Sequence, residues 1–252
     1  MNMSEIATQT PALDKSVRIF QFLLQNGAST YSQIYQGLSL PQSSTSTLLA
    51  SLVAHGLLRQ SEGKYFLGLM FYELGNKAIE QFNIKELAIE PLTYLRDQTQ
   101  LACHLGILDG QSAIYLAKVE SPNAIMIKSW LGKRLSLHTS SLGKVLLAWL
   151  PEEKIDQLLP EEKLAVKTTK SISTRTAFKQ ELATVRQKGW AFDNGEDYDG
   201  VTCIAAPVFD QRGNVVAAIS TSGVVFQMPA EKIAQFSEHV ICAANMLAEK
   251  IR

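Results

Sequence analysis

The sequence predicts an α+β fold in two parts, and three observations support this prediction. Residues 12–56 carry apolar side chains at helical spacing, interrupted by glycine and proline, and a short hairpin pattern follows them. Beyond residue 100, apolar-rich segments flank two turn sequences, Asp109-Gly110 and Asp210–Gly213, which is typical of antiparallel strands. A length of 252 residues leaves room for two modest domains. We therefore expect a small helical domain and then a larger domain whose mostly antiparallel sheet is flanked by helices.

The composition narrows the classes of protein to consider. Hydrophobic residues make up 46% and charged residues 19%, so the chain can bury a core, and the net charge of +0 indicates no acidic or basic partner. The three cysteines and four histidines show no metal-ligand spacing, so we expect reduced thiols and neither a metal ion nor another cofactor. Residues 1–16 lack the features of a signal peptide, and there is no run of about 18 apolar residues. These absences predict a cytoplasmic protein without a membrane partner.

Three helices are predicted in the N-terminal part. The first covers residues 12–26 and ends at Gly27; its apolar spacing is set by Leu13, Val17, Phe20 and Leu24. The second covers Tyr31 to Gly37, with Ser29 or Thr30 as its N-cap. The third begins at Pro41, which suits a first helical position, and ends near His55.

Hydroxyl side chains crowd the first half of the third helix. Its apolar stripe is formed by Leu48, Leu49, Leu52 and Val53, and the opposite side centres on Ser43, Thr47, Ser51 and Ala54, with Ser44 nearby. A hairpin around Gly63 follows, and three helices with a small hairpin outline a winged helix-turn-helix, whose third helix enters a DNA major groove. The alternative is a helical subdomain with a solvated face. The charge balance does not favour DNA binding, since residues 1–79 hold five Lys or Arg residues and four Asp or Glu residues.

The remaining elements fill the C-terminal part, and we place the domain boundary near residue 80. Helices are predicted over 70–81, 83–100 with a kink at Pro91, 140–150, 152–158, 174–188 and 230–250. Strands are predicted over 101–108, 112–119, 124–130, 201–209 and 214–223. The predicted domains are thus 10–70, a linker helix over 71–82, and 83–252.

Two features of the larger domain could bind a small anion. The helix that begins near Ser140 offers free N–H groups, and Gly143 keeps the approach to them open. Ser220 and Ser222 point to one face of a small-residue strand, where paired hydroxyls can hydrogen-bond a carboxylate or sugar hydroxyls. The alternatives are an ordinary capped helix and solvated serines.

A cluster of acids gives a weaker indication. Asp193, Glu196, Asp197 and Asp199 could hold calcium or form a catalytic pair, but their spacing does not fit an EF-hand, and acidic loops are usually solvated. Cys203 follows as a thiol without a basic neighbour in sequence. No hydrolase, nucleotide-binding or metalloprotease motif occurs, so the sequence gives no positive indication of an enzyme.

Five stretches resemble the IclR family of bacterial transcriptional regulators over about residues 13–247. They are LDKSVRIFQFL, LPQSSTSTLLASLVAHGLL, KYFLGLMFYELG, LSLHTSSLGKVLLAW and GVTCIAAPVFDQRGNVVAAISTSG. The resemblance implies a winged helix-turn-helix joined to a GAF-like effector domain, in a homodimer or homotetramer bound to a near-palindromic operator in double-stranded DNA. The DNA-facing residues that it implies are Ser43, Ser44, Ser46, Thr47, Arg59 and Lys64. The effector residues that it implies are Ala124, Ile127, Ser141, Leu142, Asp193, Cys203, Ser220 and Ser222.

The resemblance also implies the class of effector, a small carboxylate such as a sugar acid or keto acid. The stretch over residues 114–149 looks closest to regulators of hexuronate and pectin breakdown that respond to 2-keto-3-deoxygluconate. The chain departs from the family pattern at Thr47, where members often carry Arg, and at Gly195, where Glu is common. Two other hypotheses are a GAF-like enzyme that uses Cys203 and an oligomeric scaffold that does not bind DNA.

Overall fold

The computed structural model describes residues 8–80, 83–123 and 129–251. The chain divides into two compact units, Met1–Phe82 and Asn83–Arg252, which are described separately below. Within the described residues, no helix is both long enough and apolar enough to cross a membrane.

The N-terminal unit has the element order of a winged helix-turn-helix. Its elements are α1 (Pro11–Asn26), β1 (Ser29–Thr30), α2 (Tyr31–Gly37), α3 (Gln42–Ala54), β2 (Leu58–Ser61), β3 (Lys64–Leu67) and α4 (Met70–Glu80). Thr30 caps α2 in a reciprocal capping box with Gln33, and Pro41 lies one residue earlier than expected, as the N-cap of α3. The strands form an antiparallel sheet in the order β1-β3-β2. Glu62 and Gly63 both have positive φ, as a two-residue hairpin turn requires.

The core of this unit corrects the predicted orientation of α1. Leu13 and Leu24 are exposed, whereas Ile19 and Leu23 are buried. The core consists of Ile19, Leu23, Ile34, Leu40, Leu49, Leu52 and Leu58. Both sets of α1 residues have helical spacing, so the choice of face depends on contacts with the other helices, which the spacing within α1 does not encode.

Gly68 is the tightest backbone approach in this unit and supports a stability prediction. A Cβ added to Gly68 would lie 1.9 Å from the carbonyl oxygen of Gly56. We expect Gly68→Ala to lower the free energy of unfolding by about 3 kcal/mol, since the backbone must shift to accommodate the methyl group. Gly75→Ala is the matched control, because a Cβ there meets open space and alanine is the better helix former. Urea unfolding in which the two variants were equally stable would contradict this expectation.

The second unit is an antiparallel sheet between two layers of helices. Its helices are α5 (Ile84–Leu87), α6 (Ile89–Thr99), α7 (Ser141–Ala148), α8 (Glu152–Leu158), α9 (Arg175–Lys188) and α10 (Ala230–Lys250). Its strands are β4 (Ala102–Asp109), β5 (Ser112–Val119), β6 (Arg134–Leu135), β7 (Ala191–Asp193), β8 (Val201–Phe209) and β9 (Val215–Val224). Among the described residues the strand order is β6-β5-β4-β9-β8-β7, with antiparallel pairing throughout.

Three details of this unit differ from the sequence prediction. The helix predicted over 83–100 is two helices, with a break at Ala88, three residues before Pro91. The reason is that proline cannot donate to the carbonyl four residues earlier, so Pro91 lies in the first turn of α6, where no such bond is needed. The strand predicted over 124–130 lies mostly outside the described residues, and its last two residues are not in a strand. The short strands β6 and β7 were not predicted.

The two faces of the sheet pack against different helices. One face meets α6 and α10 through residues such as Cys103, Ile204 and Ile219. The other face meets α7, and α9 packs on α7 in turn; Tyr115 and Ala205 lie on this side. Because side chains alternate along a strand, Ser220 and Ser222 share the α7 side with Ala218. The polar residues of the candidate effector site are therefore brought together on the α7 face.

Candidate DNA-binding and effector-binding sites

The α3 helix presents its hydroxyl groups on the side opposite the core. Ser43, Ser44, Ser46 and Thr47 are exposed, whereas Thr45, Leu49 and Leu52 are buried. The buried Thr45 hydroxyl donates to the Pro41 carbonyl at 2.7 Å, so it is satisfied at the start of the helix. The serine- and threonine-rich run therefore combines one structural hydroxyl with an open polar surface.

The exposed hydroxyls of α3 differ in their hydrogen bonding. Ser44 and Thr47 donate to carbonyls of their own helix, at 3.4 and 3.3 Å, so their oxygens remain available mainly as acceptors. Ser43 and Ser46 make no side-chain hydrogen bond among the described residues. They can donate to phosphate oxygens or to base acceptors in a major groove.

The wing carries the two predicted basic residues. Lys64 is exposed at the start of β3, and the exposed Arg59 holds its guanidinium 4.3 Å from the centre of the Phe66 ring. Arg18 is used internally, because it donates to the Leu38 carbonyl at 2.7 Å. Arg59 and Lys64 therefore supply positive charge on the wing.

Strand pairing in the second unit aligns its polar side chains in two neighbouring rows. One row runs across four strands through Lys118, His104, Ser220 and Ala205. The next row runs through Ala102, Ser222, Cys203 and Asp193. Both rows face α7, so sheet register brings together residues that are more than 100 positions apart in the chain.

A cavity of about 30 Å³ lies against the second of these rows. It is lined by Tyr115, Ser129, Lys133, Leu135, Ser140, Asp193, Asp197, Tyr198, Val201, Cys203 and Ser222. Three predicted effector residues, Asp193, Cys203 and Ser222, are thus on its wall, and Ser220 is buried in the neighbouring row. Ser141 and Leu142 are buried at the start of α7, next to the lining residue Ser140. Ala124 and Ile127 lie outside the described residues.

The start of α7 offers backbone donors. Ser140 caps the helix, with its hydroxyl oxygen accepting from the Gly143 N–H at 3.1 Å. The N–H groups of Ser141 and Leu142 precede the first intrahelical bond, and no hydrogen bond within the described residues engages them. Gly143 has a different role from the predicted one, because a Cβ there would lie 2.4 Å from the Leu137 carbonyl oxygen. This glycine permits α7 to pack closely on the backbone before it.

Three acids of the loop, Asp193, Glu196 and Asp197, are buried, contrary to the expectation of a solvated loop, whereas Asp199 is exposed. Lys144, which is 1% exposed, donates to Glu196 at 2.6 Å and to the Phe192 carbonyl at 2.8 Å. Asp197 pairs with Lys167 and accepts from the Thr139 hydroxyl at 2.6 Å. Among the described residues no cluster of His, Cys, Asp or Glu could hold a metal ion. The loop is therefore built around protein cations.

Two groups on the cavity wall have strongly shifted pKa values. Burial raises the pKa of Asp193 to about 7, although the Glu196 N–H donates to its carboxyl at 2.6 Å. Burial, and next the charge of Asp193, raise the pKa of the Cys203 thiol well above its ordinary value. A thiol that stays protonated is a poor nucleophile, which weighs against the hypothesis of an enzyme based on Cys203.

Sequence reasoning missed several residues at this site. His104, Tyr115 and Lys133 come from β4, β5 and the segment before β6, and none belongs to a recognisable motif. The alternation along β4 would have placed His104 on one face, but only the β4–β9 register puts it opposite Ser220. Lys144 was missed because a lysine within an apolar helix does not reveal its partners in sequence.

A winged helix-turn-helix and a helix/sheet domain with a small pocket that polar residues line in part are typical of a DNA-binding transcriptional regulator with an effector-binding domain. Comparison with known proteins agrees with this class. Residues 12–62 match the model of the IclR helix-turn-helix domain, and residues 76–249 match that of the bacterial transcriptional regulator IclR C-terminal domain. The chain belongs to the IclR family of bacterial transcriptional regulators.

Individual relatives place the chain within this family. It is 37% identical over 226 residues to the uncharacterized HTH-type transcriptional regulator RhmR of Escherichia coli (strain K12), covering 89% of this chain and 87% of RhmR. It is 28% identical to the HTH-type transcriptional regulator KdgR of the same organism, covering 100% of this chain and 97% of KdgR. An IclR homolog from Microbacterium hydrocarbonoxydans, crystallised with 4-hydroxybenzoate, has the same fold at a TM-score of 0.81 and 23% identity, covering 96% and 99% of the two chains.

Proposed function

We propose that the N-terminal unit binds a near-palindromic operator and that a small organic acid, a sugar acid or keto acid, bound in the second unit modulates this binding. The observation that carries the proposal is the exposed face of α3, on which the Ser43 and Ser46 hydroxyls have no protein partner among the described residues. Ser44, Thr47, Arg59 and Lys64 extend this surface. Thr47 in place of the arginine common in the family removes one cation, so base and phosphate contacts by hydroxyls carry more of the affinity.

The effector carboxylate would bind at the start of α7. The free N–H groups of Ser141 and Leu142 and the helix dipole favour an anion there, and Lys133 adds positive charge on the cavity wall. Cys203, Ser220, Ser222 and Asp193 would meet the rest of the molecule. The prediction that Ala124 and Ile127 form apolar walls of the effector pocket remains a prediction. The resemblance noted in the sequence makes 2-keto-3-deoxygluconate one acid to test, and the Microbacterium homolog adds 4-hydroxybenzoate.

The size of the cavity supports a link between effector binding and a change of shape. At about 30 Å³ it holds roughly two water molecules, so an organic acid needs more space than the described walls enclose. A ligand shifts a conformational equilibrium only by its difference in affinity for the two states, typically about 1–3 kcal/mol. Such a shift would change how well the DNA-binding units of a homodimer or homotetramer fit two half-sites.

The α4 helix supports the proposal of an oligomer. Met70, Tyr72 and Leu74 are large apolar residues that are 40%, 73% and 55% exposed. Large exposed apolar residues on one short helix are typical of a surface that pairs with another chain. Sedimentation of the purified protein tests this directly.

The experiment that tests the function is a selection of genomic DNA fragments, followed by fluorescence anisotropy with the selected and scrambled duplexes. We expect selective, salt-dependent binding that one of the acids changes at least fivefold. An empty selection at low salt would contradict DNA binding and favour the scaffold hypothesis. Turnover of an acid, together with sensitivity to thiol alkylation, would favour the enzyme hypothesis.

The raised pKa of Asp193 predicts how effector binding depends on pH. Below about pH 7 the Asp193 carboxyl is mostly neutral, and above it the ionised carboxylate repels an anionic effector. The groups around it are Glu196, Asp197, Lys144 and Cys203. We expect the affinity for a carboxylate effector to fall by about tenfold from pH 6 to pH 8, measured by titration calorimetry.

Asp193→Asn is the control for this pH dependence, because it keeps the shape and removes the titration. Its affinity should be nearly constant over the same range. An equally steep pH profile in this variant would show that another group titrates.

A further inference from the structure

Three buried polar atoms on the α7 face of the sheet have no hydrogen-bond partner among the residues that the structure describes. They are Nδ1 of His104 and the hydroxyl oxygens of Ser220 and Ser222, in residues that are 0%, 1% and 3% exposed. His104 and Ser220 are a direct cross-strand pair, and Ser222 lies two residues further along the same face of β9. Leaving buried polar atoms unpaired costs free energy, so this wall suits a ligand that supplies hydrogen-bonding groups.

The ring of His104 is held in a fixed position. Its Nε2 lies 3.0 Å from the Ser129 hydroxyl, and the ring stacks on Tyr115 with 4.3 Å between the two centres. Ser129 also holds Lys118, the cross-strand partner of His104 in the same row, because the Ser129 carbonyl accepts from the Lys118 ammonium at 3.1 Å. Among the described residues Nε2 of His104 has a partner and Nδ1 has none, so Nδ1 is the ring nitrogen that is left for a ligand.

The imidazole of His104 is neutral at physiological pH. Burial, and next the charges of Lys118 and Lys133, lower its pKa to about 3. A neutral imidazole has one donor and one acceptor nitrogen, and a hydroxyl group of a ligand can match either. Ser220 beside it can likewise donate or accept. A hydroxyl group can thus bond both residues at once, whereas a methylene or an aromatic C–H can bond neither.

We propose that His104 and Ser220 together bind a hydroxyl group of the effector, which makes the effector a hydroxylated acid rather than an unsubstituted aliphatic or aromatic acid. The proposal rests on the proposed function, which already assigns Ser220 to the effector, and it adds His104 as a specificity-determining contact. His104 stacks on Tyr115 and bonds Ser129, which both line the cavity. The carboxylate lies at the start of α7 and the hydroxylated end lies against β4 and β9.

The test is titration calorimetry of the full-length protein with two sets of acids. One set is the five- and six-carbon aldonic acids and their 2-keto-3-deoxy derivatives, and the other is pentanoate, hexanoate and benzoate. We expect the best hydroxylated acid to bind about 100-fold more tightly than any acid of the second set. His104→Phe keeps the stacking on Tyr115. We expect His104→Phe and Ser220→Ala, each as a single variant, to reduce the preference for hydroxylated acids at least tenfold.

Thr202→Val is the matched control. Thr202 also has a buried, unpaired hydroxyl, but it lies on the opposite face of the sheet. This variant should keep the full preference. Thermal unfolding of each variant separates loss of fold from loss of recognition, and the ratio of the two affinities is independent of the fraction folded.

Three results would overturn the proposal: equal binding of an unsubstituted acid, an unchanged preference in His104→Phe and Ser220→Ala, or no binding of any hydroxylated acid. If benzoate or an alkanoate binds and alters DNA binding, regulation of DNA binding by a small organic acid stands and this inference fails. If a hydroxylated acid binds with the expected preference but the protein does not bind DNA, this inference stands and the proposed function fails.

Discussion

Replacing Ser43 and Ser46 together by glutamate is expected to lower the affinity for the selected operator by at least about 100-fold. Both side chains are exposed on α3, and neither hydroxyl forms a hydrogen bond with another described residue. Each is therefore available to contact DNA. The change removes two hydroxyl donors, each worth about 1 kcal/mol as a hydrogen bond, and adds two negative charges that face the phosphates. Fluorescence anisotropy at two salt concentrations measures the loss.

The control for this variant adds the same charge elsewhere. Gln157 and Gln187 are exposed residues of the second unit, and their replacement by glutamate should leave DNA affinity within about twofold of the original. Effector affinity should be unchanged in both variants. If the Ser43 and Ser46 variant binds the operator as tightly as its control, α3 is not the DNA-reading helix.

The second large effect is expected for Lys144→Met, which removes the cation at the centre of the acidic loop. Lys144 and Glu196 are both buried, and their pair links α7 to the loop that carries Asp193. Removing one partner of a buried pair leaves the other charge uncompensated, which costs about 3–5 kcal/mol. We expect the free energy of unfolding to fall by this amount and effector binding to be lost, as measured by urea unfolding and calorimetry.

Two further variants show whether the uncompensated charge of Glu196 causes the loss of stability in Lys144→Met. The double change Lys144→Met with Glu196→Gln removes the buried pair and leaves only the partly exposed Glu181 without its lysine, so it should recover about half of the lost stability. Lys154→Met removes an exposed lysine from α8 and should change stability by less than about 0.5 kcal/mol. A Lys144→Met protein as stable as Lys154→Met would show that the buried pair does not stabilise the fold.

Local patterns were sufficient for most of the elements. The limits of α2, α8, β5 and β8 match those expected from caps, turns and apolar spacing. The fold class followed from these elements and is confirmed. What local pattern could not supply was orientation, since the buried face of α1 depends on its neighbours. The three-residue strand β7 is too short to show a period and exists because β8 offers it an edge to pair with.

The candidate effector site divides in the same way. The alternation along β9 and the acidic loop indicated Ser220, Ser222 and Asp193 without knowledge of their partners. Sheet register then added His104, which lies 116 residues before Ser220 and beside it in the sheet. The lysines that neutralise the acidic loop come from α7 and from the segment before α9, and no spacing rule connects them to it. Long-range contacts of this kind are specified only by the whole fold.

We propose that effector binding in the second unit and DNA binding in the first are thermodynamically coupled. The measurement that tests it most directly is the effector Kd of the full-length protein, determined by calorimetry with and without saturating operator DNA. It is compared with the change in operator affinity caused by saturating effector. We expect the two ratios to agree within error and to differ from one by at least fivefold, because coupling is reciprocal. An effector Kd that is the same with and without operator would contradict it.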